Sequence, residues 1–290
     1  MSGKPTVIST FAGCGGSSLG YKWAGFDELL AVEWENNAVQ TFKLNFPDVP
    51  VWQRDIREIP GKEILEFTKL KQGELDVLDG SPPCQGFSTA KGKRNVGDDR
   101  NDLTYEFIRL IEELQPKVFV MENVSGMVKG TMKGKFKQIM KALKSTGYNV
   151  KCKLMNSMYY EVPQSRQRLI WIGVKNGEPK YPSPKNNIKN IFDVLPHIKE
   201  QNRGQFDKSW ITSNRPSYTI TKTSSLLFKD EFGKIRKPTI DDLKILSSFP
   251  QDFQFIGSFN EQWARIGNAV MPKFMEHISR TIKTEILGYS

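Results

Sequence analysis

Two histidines and three cysteines are all that 290 residues supply of the softer metal-holding side chains. The cysteines, Cys14, Cys84 and Cys152, are widely spaced and odd in number. No Cys-x-x-Cys pair offers a zinc site, so no metal is expected. No disulfide framework can be drawn either, and a reducing compartment fits. No apolar run approaches the roughly 20 residues that cross a bilayer. Met1-Ser-Gly-Lys-Pro5 leads into a strand without the zones of a secretion signal. A cytoplasmic chain without membrane contact is expected. Internal repeats and low-complexity tracts are missing as well. Acid is scarcer than base: 32 Asp and Glu face 42 Lys and Arg, a net charge of +10. That excess fits a polyanionic partner, although a solubility margin would give the same number. Hydrophobic residues make up 38% of the chain, enough for one large domain or two unequal ones.

The first 175 residues alternate strand and helix patterns. Strands are expected at Thr6–Phe11, Leu29–Trp34, Val51–Ile56, Leu75–Leu78 and Lys117–Val124. Helices are expected at Ser17–Ala24, Asn36–Phe46, Asp102–Leu114 and Lys135–Lys144, with Asp102 as an N-cap. Val150–Met155 and Leu169–Val174 read as a late strand pair. Such repetition implies a mostly parallel sheet covered on both faces. The pattern breaks at Lys175, where a proline-rich polar segment begins. Irregular basic sequence then runs to about Lys237. Lys175 to Lys237 carries 13 Lys and Arg against 6 Asp and Glu, a net of +7. The lysine-rich stretch Lys129 to Lys153 reads as a solvated helix and its flank. A final helix is expected over Pro272–Leu287, with Phe274, Ile278, Ile282 and Ile286 at helical spacing.

Four segments carry chemistry. Phe11-Ala-Gly-Cys-Gly-Gly-Ser-Ser-Leu-Gly20 lies between the first strand and helix, where glycine lets backbone approach a ligand. An ordinary strand-to-helix turn would look similar. Glu33 ends the second strand and can take the two hydroxyls of a ribose. Trp34 offers a flat surface to a purine, and Asp55, ending the third strand, an acceptor for an adenine amine. Each acid alone would read as a helix cap or a solvated charge. The second segment is Gly80-Ser-Pro-Pro-Cys-Gln-Gly-Phe-Ser88, in which two prolines fix the backbone before Cys84 at a strand end. A small buried cysteine is the bland alternative; a nucleophilic thiolate is the chemical one. The third is Met121-Glu-Asn-Val124. A carboxyl of Glu122 buried near Cys84 would have a raised pKa and could donate to a ring nitrogen, unless it caps a helix. The fourth is Gln164-Ser-Arg-Gln-Arg168. Arg166 and Arg168 point the same way in extended chain, Arg168 toward a carbonyl oxygen and Arg166 toward a phosphate or the charge of the site. A basic strand edge would also produce this pattern.

Together, and in this order, these residues resemble the DNA cytosine-C5 methyltransferases. Phe11–Gly20, Glu33-Trp34, Asp55-Ile56, Pro82-Pro-Cys-Gln85, Arg100 with Leu103, Glu122-Asn-Val124, Gln164–Arg168, Gly233–Phe253 and Gly267-Asn-Ala-Val270 are similar to the family's motifs. Glu161 stands where the family usually has glycine, and Asp241 and Asp242 where it usually has glutamate. The resemblance implies an α/β fold: a class I, Rossmann-like mixed sheet with helices on both faces, plus a small DNA-recognition domain. The large domain is expected over 1–178 and 258–290, the small one over 179–257.

The resemblance also implies S-adenosylmethionine as cofactor. Its implied contacts are Phe11, Gly13, Gly15, Gly16, Leu19, Glu33, Trp34, Asp55, Ile56, Pro82, Leu103, Asn268 and Val270. The implied catalytic set is Cys84, Glu122, Arg166 and Arg168. Cys84 adds to C6 of a flipped cytosine, Glu122 supports N3 and Arg168 holds O2. Double-stranded DNA is the implied partner, met by Gln85, Ser88, Arg100, Arg203, Gln205, Lys208, Thr219 and Thr221. Asn202–Trp210 is the expected reading loop, and Phe87–Asn101 the expected lid. A cognate restriction endonuclease and a monomeric state complete the expectations. Rival readings are an RNA methyltransferase, whose Cys-Phe-Thr tripeptide is absent, a silent DNA-binding regulator, and a nicotinamide-dependent dehydrogenase suggested by the glycine loop alone.

Overall fold

The computed structural model describes residues 3–83, 103–128, 133–203, 209–223 and 225–290. Among them, strands β1 (Thr6–Thr10), β2 (Asp27–Glu33), β3 (Val51–Gln53), β4 (Val77–Gly80), β5 (Val118–Val124), β6 (Asn149–Asn156) and β7 (Gln167–Val174) form one sheet. Its order is β3-β2-β1-β4-β5-β7-β6. The first five strands run parallel, and β7 lies antiparallel between β5 and β6. Strand order reverses between β1 and β4, so a crevice opens at their carboxyl ends.

Helices cover both faces, as continuous apolar strands require. On one face α3 (Gly61–Thr68), α4 (Leu103–Leu114) and α5 (Lys133–Ser145) bury Ile64, Phe107, Ile111, Ile139 and Leu143 against Ile8, Leu78, Phe119 and Trp171. On the other, α1 (Gly16–Ala24) and α9 (Pro272–Thr281) bury Tyr21, Phe274, Met275 and Ile278 against Val7, Val77, Val120 and Ile172. The two helices touch at Gly20, where an added Cβ would stand 2.6 Å from Met275 Cβ. The end of the chain thus reaches back to the helix that follows the glycine loop. The helix α2 (Asn36–Asn45) anchors that loop through Phe42 and Phe46, packed with Cys14 and Leu19.

Between β7 and α9 the chain builds a second sheet, order β11-β10-β8-β9, from β8 (Ile198–Asn202), β9 (Trp210–Thr212), β10 (Leu227–Asp230) and β11 (Ile235–Arg236). This corrects the expectation of irregular structure there. The strands are two to five residues long, and β8 buries Gln201 and Asn202, so no apolar alternation marks them. The short helix α6 (Ile191–Val194), α7 (Ile240–Leu246) and α8 (Phe259–Asn268) close its core through Ile191, Leu243, Trp263 and Ile266. Thr239 and Ser258 cap α7 and α8 with Asp242 and Glu261 answering, a capping box in each case. The final helix is also corrected. It is regular only to Thr281 and widens to a π turn over Ile282–Ile286. The expected Asp102 cap lies outside the described residues.

A candidate active site at the β1–β4 switch

A cleft of about 780 Å³ opens at the carboxyl ends of β1, β2, β4 and β5. Its floor is the glycine loop. The left-handed φ of 54° at Phe11 ends β1 and starts a sharp turn. Gly13, at φ 57°, leaves open space where a side chain would stand. A Cβ on Gly16 would lie 2.2 Å from the Val270 carbonyl, so the last motif sits directly on the loop. Phe11, Gly13, Gly16 and Val270 line the cleft, as does Asn268. Gly15 and Leu19 do not: both face the Phe42 and Phe46 rings beneath the loop.

Glu33 sits at the end of β2. One carboxylate oxygen accepts the Gly13 N–H at 2.8 Å, and the other accepts from the Trp34 and Glu35 N–H groups at 2.9 Å each. It therefore braces the loop while facing the cleft. Trp34 keeps 68% of its surface exposed, an unusual state for that side chain and a ready platform for an aromatic ring. Asp55 caps a 3₁₀ turn at Ile56–Glu58. The Arg57 guanidinium beside it holds its carboxyl below the usual range. Ile56 and Leu103 complete this side. A glycine cradle, two acids at successive strand ends and an exposed indole suit a purine nucleoside.

The opposite wall carries Glu122, Arg168 and Pro82. Register places Val124 opposite Arg168 on β7, so the side chain of Arg168 reaches Glu122 diagonally. Arg168 Nε lies 2.7 Å from Glu122 Oε1, and both side chains are nearly buried. The carboxyl expected to lie buried is held here in an ion pair. The Pro82 carbonyl accepts from Asn123 Nδ2 at 3.0 Å. Asn123 ties the end of β5 to the Pro-Pro turn, a link that the motif did not reveal.

Arg166 is buried and donates to three carbonyls: Ile220 at 2.7 Å, Gly267 at 2.9 Å and Ala269 at 3.3 Å. Burial and the neighbouring Arg168 push its pKa down to about 9. The guanidinium joins β7's approach, the second sheet's loop and the last motif. Thr221 lines the cleft through that loop. Thr219 donates its hydroxyl to the Ser165 carbonyl at 2.7 Å, and Arg203 lies over the Tyr218 ring at 4.8 Å; neither lines the cleft. Arg265, unforeseen from sequence, enters the cleft and forms a two-armed pair with Glu35, 230 residues away.

Burial drives the Cys14 and Cys152 thiols up to about 12, so both stay protonated and inert at neutral pH. Cys84, Gln85, Ser88, Arg100, Gln205 and Lys208 lie outside the described residues, as do all of the expected lid and most of the reading loop. No group of acids, histidines and cysteines that could hold a metal exists among the described residues. Nor is any helix there long and apolar enough to cross a membrane.

Asp79, four residues before the Pro-Pro turn ends, is buried on the α1 face and accepts from the Tyr21 hydroxyl at 3.2 Å. Burial raises it to about 8, and raises its neighbour Glu28 to about 7. The unfolded chain releases these protons near pH 4 while the folded chain keeps them. The contribution of these two groups to stability therefore falls as pH rises from about 4 to about 8. Asp79→Asn is expected to flatten that fall and to raise the thermal midpoint by ~5 °C at pH 8, with little change at pH 4. Thermal melts across that window check it; parallel curves for the two proteins would contradict it.

The sheet order, the antiparallel β7 and the nucleoside-sized cleft at the switch point define a class I methyltransferase fold. The profile of the C-5 cytosine-specific DNA methylases matches residues 5–229. The chain is 32% identical to the type II methyltransferase M1.HphI of Haemophilus parahaemolyticus, over 96% of this chain and 86% of that one. It is 30% identical to M.HindV of Haemophilus influenzae, over 95% of each. Two solved structures share the fold. A prophage-encoded Escherichia coli protein described as a DNA modification methyltransferase has a TM-score of 0.74 at 24% identity, covering 98% of this chain and 99% of its own. The Dnmt2 methyltransferase of Schizosaccharomyces pombe has a TM-score of 0.74 at 16% identity, covering 99% and 100%. The chain belongs to the C-5 cytosine-specific DNA methylase family and is a DNA (cytosine-5)-methyltransferase.

Proposed function

We propose that this enzyme methylates a cytosine flipped from duplex DNA, through a covalent bond between Cys84 and C6. The observation that carries the reading is the Glu122–Arg168 pair, which faces the same cleft as the glycine loop and the Pro-Pro turn. S-adenosylmethionine, when bound, supplies an electrophilic methyl group to C5. Glu33, Trp34 and Asp55 would hold its adenosine, and the loop at Gly13 and Gly16 the rest.

Cytosine C5 is a poor nucleophile, and addition of a thiolate at C6 turns it into an enamine carbon. As the base enters, Glu122 takes up a proton from solvent and donates it to N3 while that electron density develops. Arg168, already bonded to Glu122, supports the charge at O2. A stacked cytosine cannot offer C6 to a thiol, so the base must leave the helix. Arg166 acts as a positioning residue: its three carbonyl contacts fix the wall that carries Arg168. The region of the second sheet, 179–257, reads the target. Arg203, which follows β8, and Gln205 and Lys208, which come next in the sequence, are its proposed readers, with Thr219 and Thr221 on the approach to the cleft. Residues 1–178 and 258–290 form the catalytic part. The enzyme works as a cytoplasmic monomer beside a cognate endonuclease; the type II names of its relatives bear on the last of these alone.

Methyl-labelled S-adenosylmethionine offered with duplex DNA and with tRNA tests this reading. Label is expected in DNA as 5-methylcytosine. Label confined to tRNA would overturn it.

A further inference from the structure

The α5 helix gathers several lysines without a carboxylate of its own to answer them. Its sequence, Lys133-Gly-Lys-Phe-Lys-Gln-Ile-Met-Lys-Ala-Leu-Lys-Ser145, contains no acid. Three other charged helices answer their cations with their own carboxylates: Lys62 with Glu66 on α3, Arg109 with Glu106 and Glu113 on α4, Lys273 and Arg280 with Glu276 on α9. On α5 the buried side is made by Ile139 and Leu143, with Phe136 and Met140 half-buried beside them. At 100° per residue, Lys133, Lys137, Lys141 and Lys144 fall in one sector about 80° wide, along a flank of that buried side. All four are exposed. Among the described residues none of the four has an ion pair, whereas the next lysines are engaged, Lys151 with Glu178 and Lys153 over the Tyr181 ring.

Like charges three and four residues apart repel, so this row weakens the helix that carries it. A local rule broken without a gain inside the fold points to a ligand outside it. The 3₁₀ turn Ser125–Val128 directly follows β5, the strand that brings Glu122 to the cleft, and α5, which carries the row, packs against that turn. From there it runs for about 16 Å, roughly five base pairs of duplex.

We propose that Lys133, Lys137, Lys141 and Lys144 form a phosphate-contacting track for duplex DNA outside the cleft, which holds the flank of the target site. The proposal rests on the reading of duplex DNA as substrate. The track is indifferent to base sequence, because lysine ammonium groups contact phosphates as point charges. Its work is to raise affinity and encounter rate on long DNA, not to choose the target.

The test compares the wild type with the K133Q/K137Q/K141Q/K144Q variant on two duplexes with one target site. One duplex ends close to the site, and the other extends about 15 base pairs beyond it on each side. Binding is measured over a salt series with cofactor present. On the long duplex the variant is expected to bind at least ~10-fold more weakly, and its log K against log salt slope to shrink by about 3 to 4, near 0.9 per lost contact. On the short duplex, affinity and turnover are expected to match the wild type, which also reports an intact fold. The four-arginine counterpart is expected to restore the slope. Equal slopes for wild type and the glutamine variant on the long duplex would overturn the proposal and leave a solvated face only. Absence of wild-type binding to either duplex would instead overturn the reading of DNA as substrate.

Discussion

Replacement of Cys84 by alanine is expected to lower methyl transfer by roughly 10⁴-fold or more while duplex binding persists. The size follows from what is left. Without a sulfur at C6 the pyrimidine keeps its aromatic character, and C5 has no electron pair to offer. The other two thiols cannot stand in. Cys14 is buried under the glycine loop, with its Sγ 3.8 Å from the Arg265 carbonyl, and Cys152 lies on β6 at the far edge of the sheet. Burial holds both protonated. Serine at position 84 is expected to restore little, because its hydroxyl is a far weaker nucleophile at neutral pH. Single-turnover assays alongside a binding titration check this. Undiminished methylation in the alanine variant would remove Cys84 from the mechanism.

Glu122→Gln is expected to lower kcat by about 10²- to 10⁴-fold, the usual range for loss of a positioned general acid, with cofactor affinity unchanged. Glutamine keeps the shape and can still accept from Arg168, so the wall of the cleft should hold. It cannot pass a proton to a ring nitrogen. Glu122→Ala differs in kind. It leaves the Arg168 guanidinium, nearly buried at 14% side-chain exposure, without its partner. Removing one member of a buried pair destabilises by about 3–5 kcal/mol when burial is complete, and by less here because solvent reaches both groups. Loss of rate without loss of thermal stability in the glutamine variant, and loss of both in the alanine variant, would separate the chemical role from the structural one. Equal kcat for Glu122→Gln and wild type would contradict the assignment.

The sheet was legible because most of its strands hold apolar runs set between glycine and proline signals. The long parallel strands β1, β2 and β5 declare themselves in this way. The second sheet did not, since β8, Ile-Lys-Glu-Gln-Asn, buries two amides where the pattern called for apolar residues. Gln201 there is held by Ser217 and Tyr218, partners 16 and 17 residues away that no local window connects. The helices α7 and α8 did carry readable signals, Thr239-x-x-Asp242 and Ser258-x-x-Glu261.

At the site, residue types and strand ends located Glu33, Asp55, Glu122 and Arg168. Their partners could not be located so. The Arg265–Glu35 pair and the three carbonyls on Arg166 join segments 50 to 230 residues apart, and only tertiary folding brings them together. Gly15 and Leu19 show the converse. They belong to the glycine motif, yet they serve the packing under the loop rather than the cleft above it.

The central claim is a covalent bond from Cys84 to the target cytosine, and a duplex carrying 5-fluorocytosine at the methylated position tests it most directly. With S-adenosylmethionine present, fluorine at C5 blocks the proton loss that would release the enzyme. The account predicts a one-to-one complex that survives denaturant, heavier than protein plus duplex by one methyl group, with the link mapped to the peptide that contains Cys84. Failure to form that complex with enzyme that methylates the unmodified duplex, or a link to another residue, would contradict it.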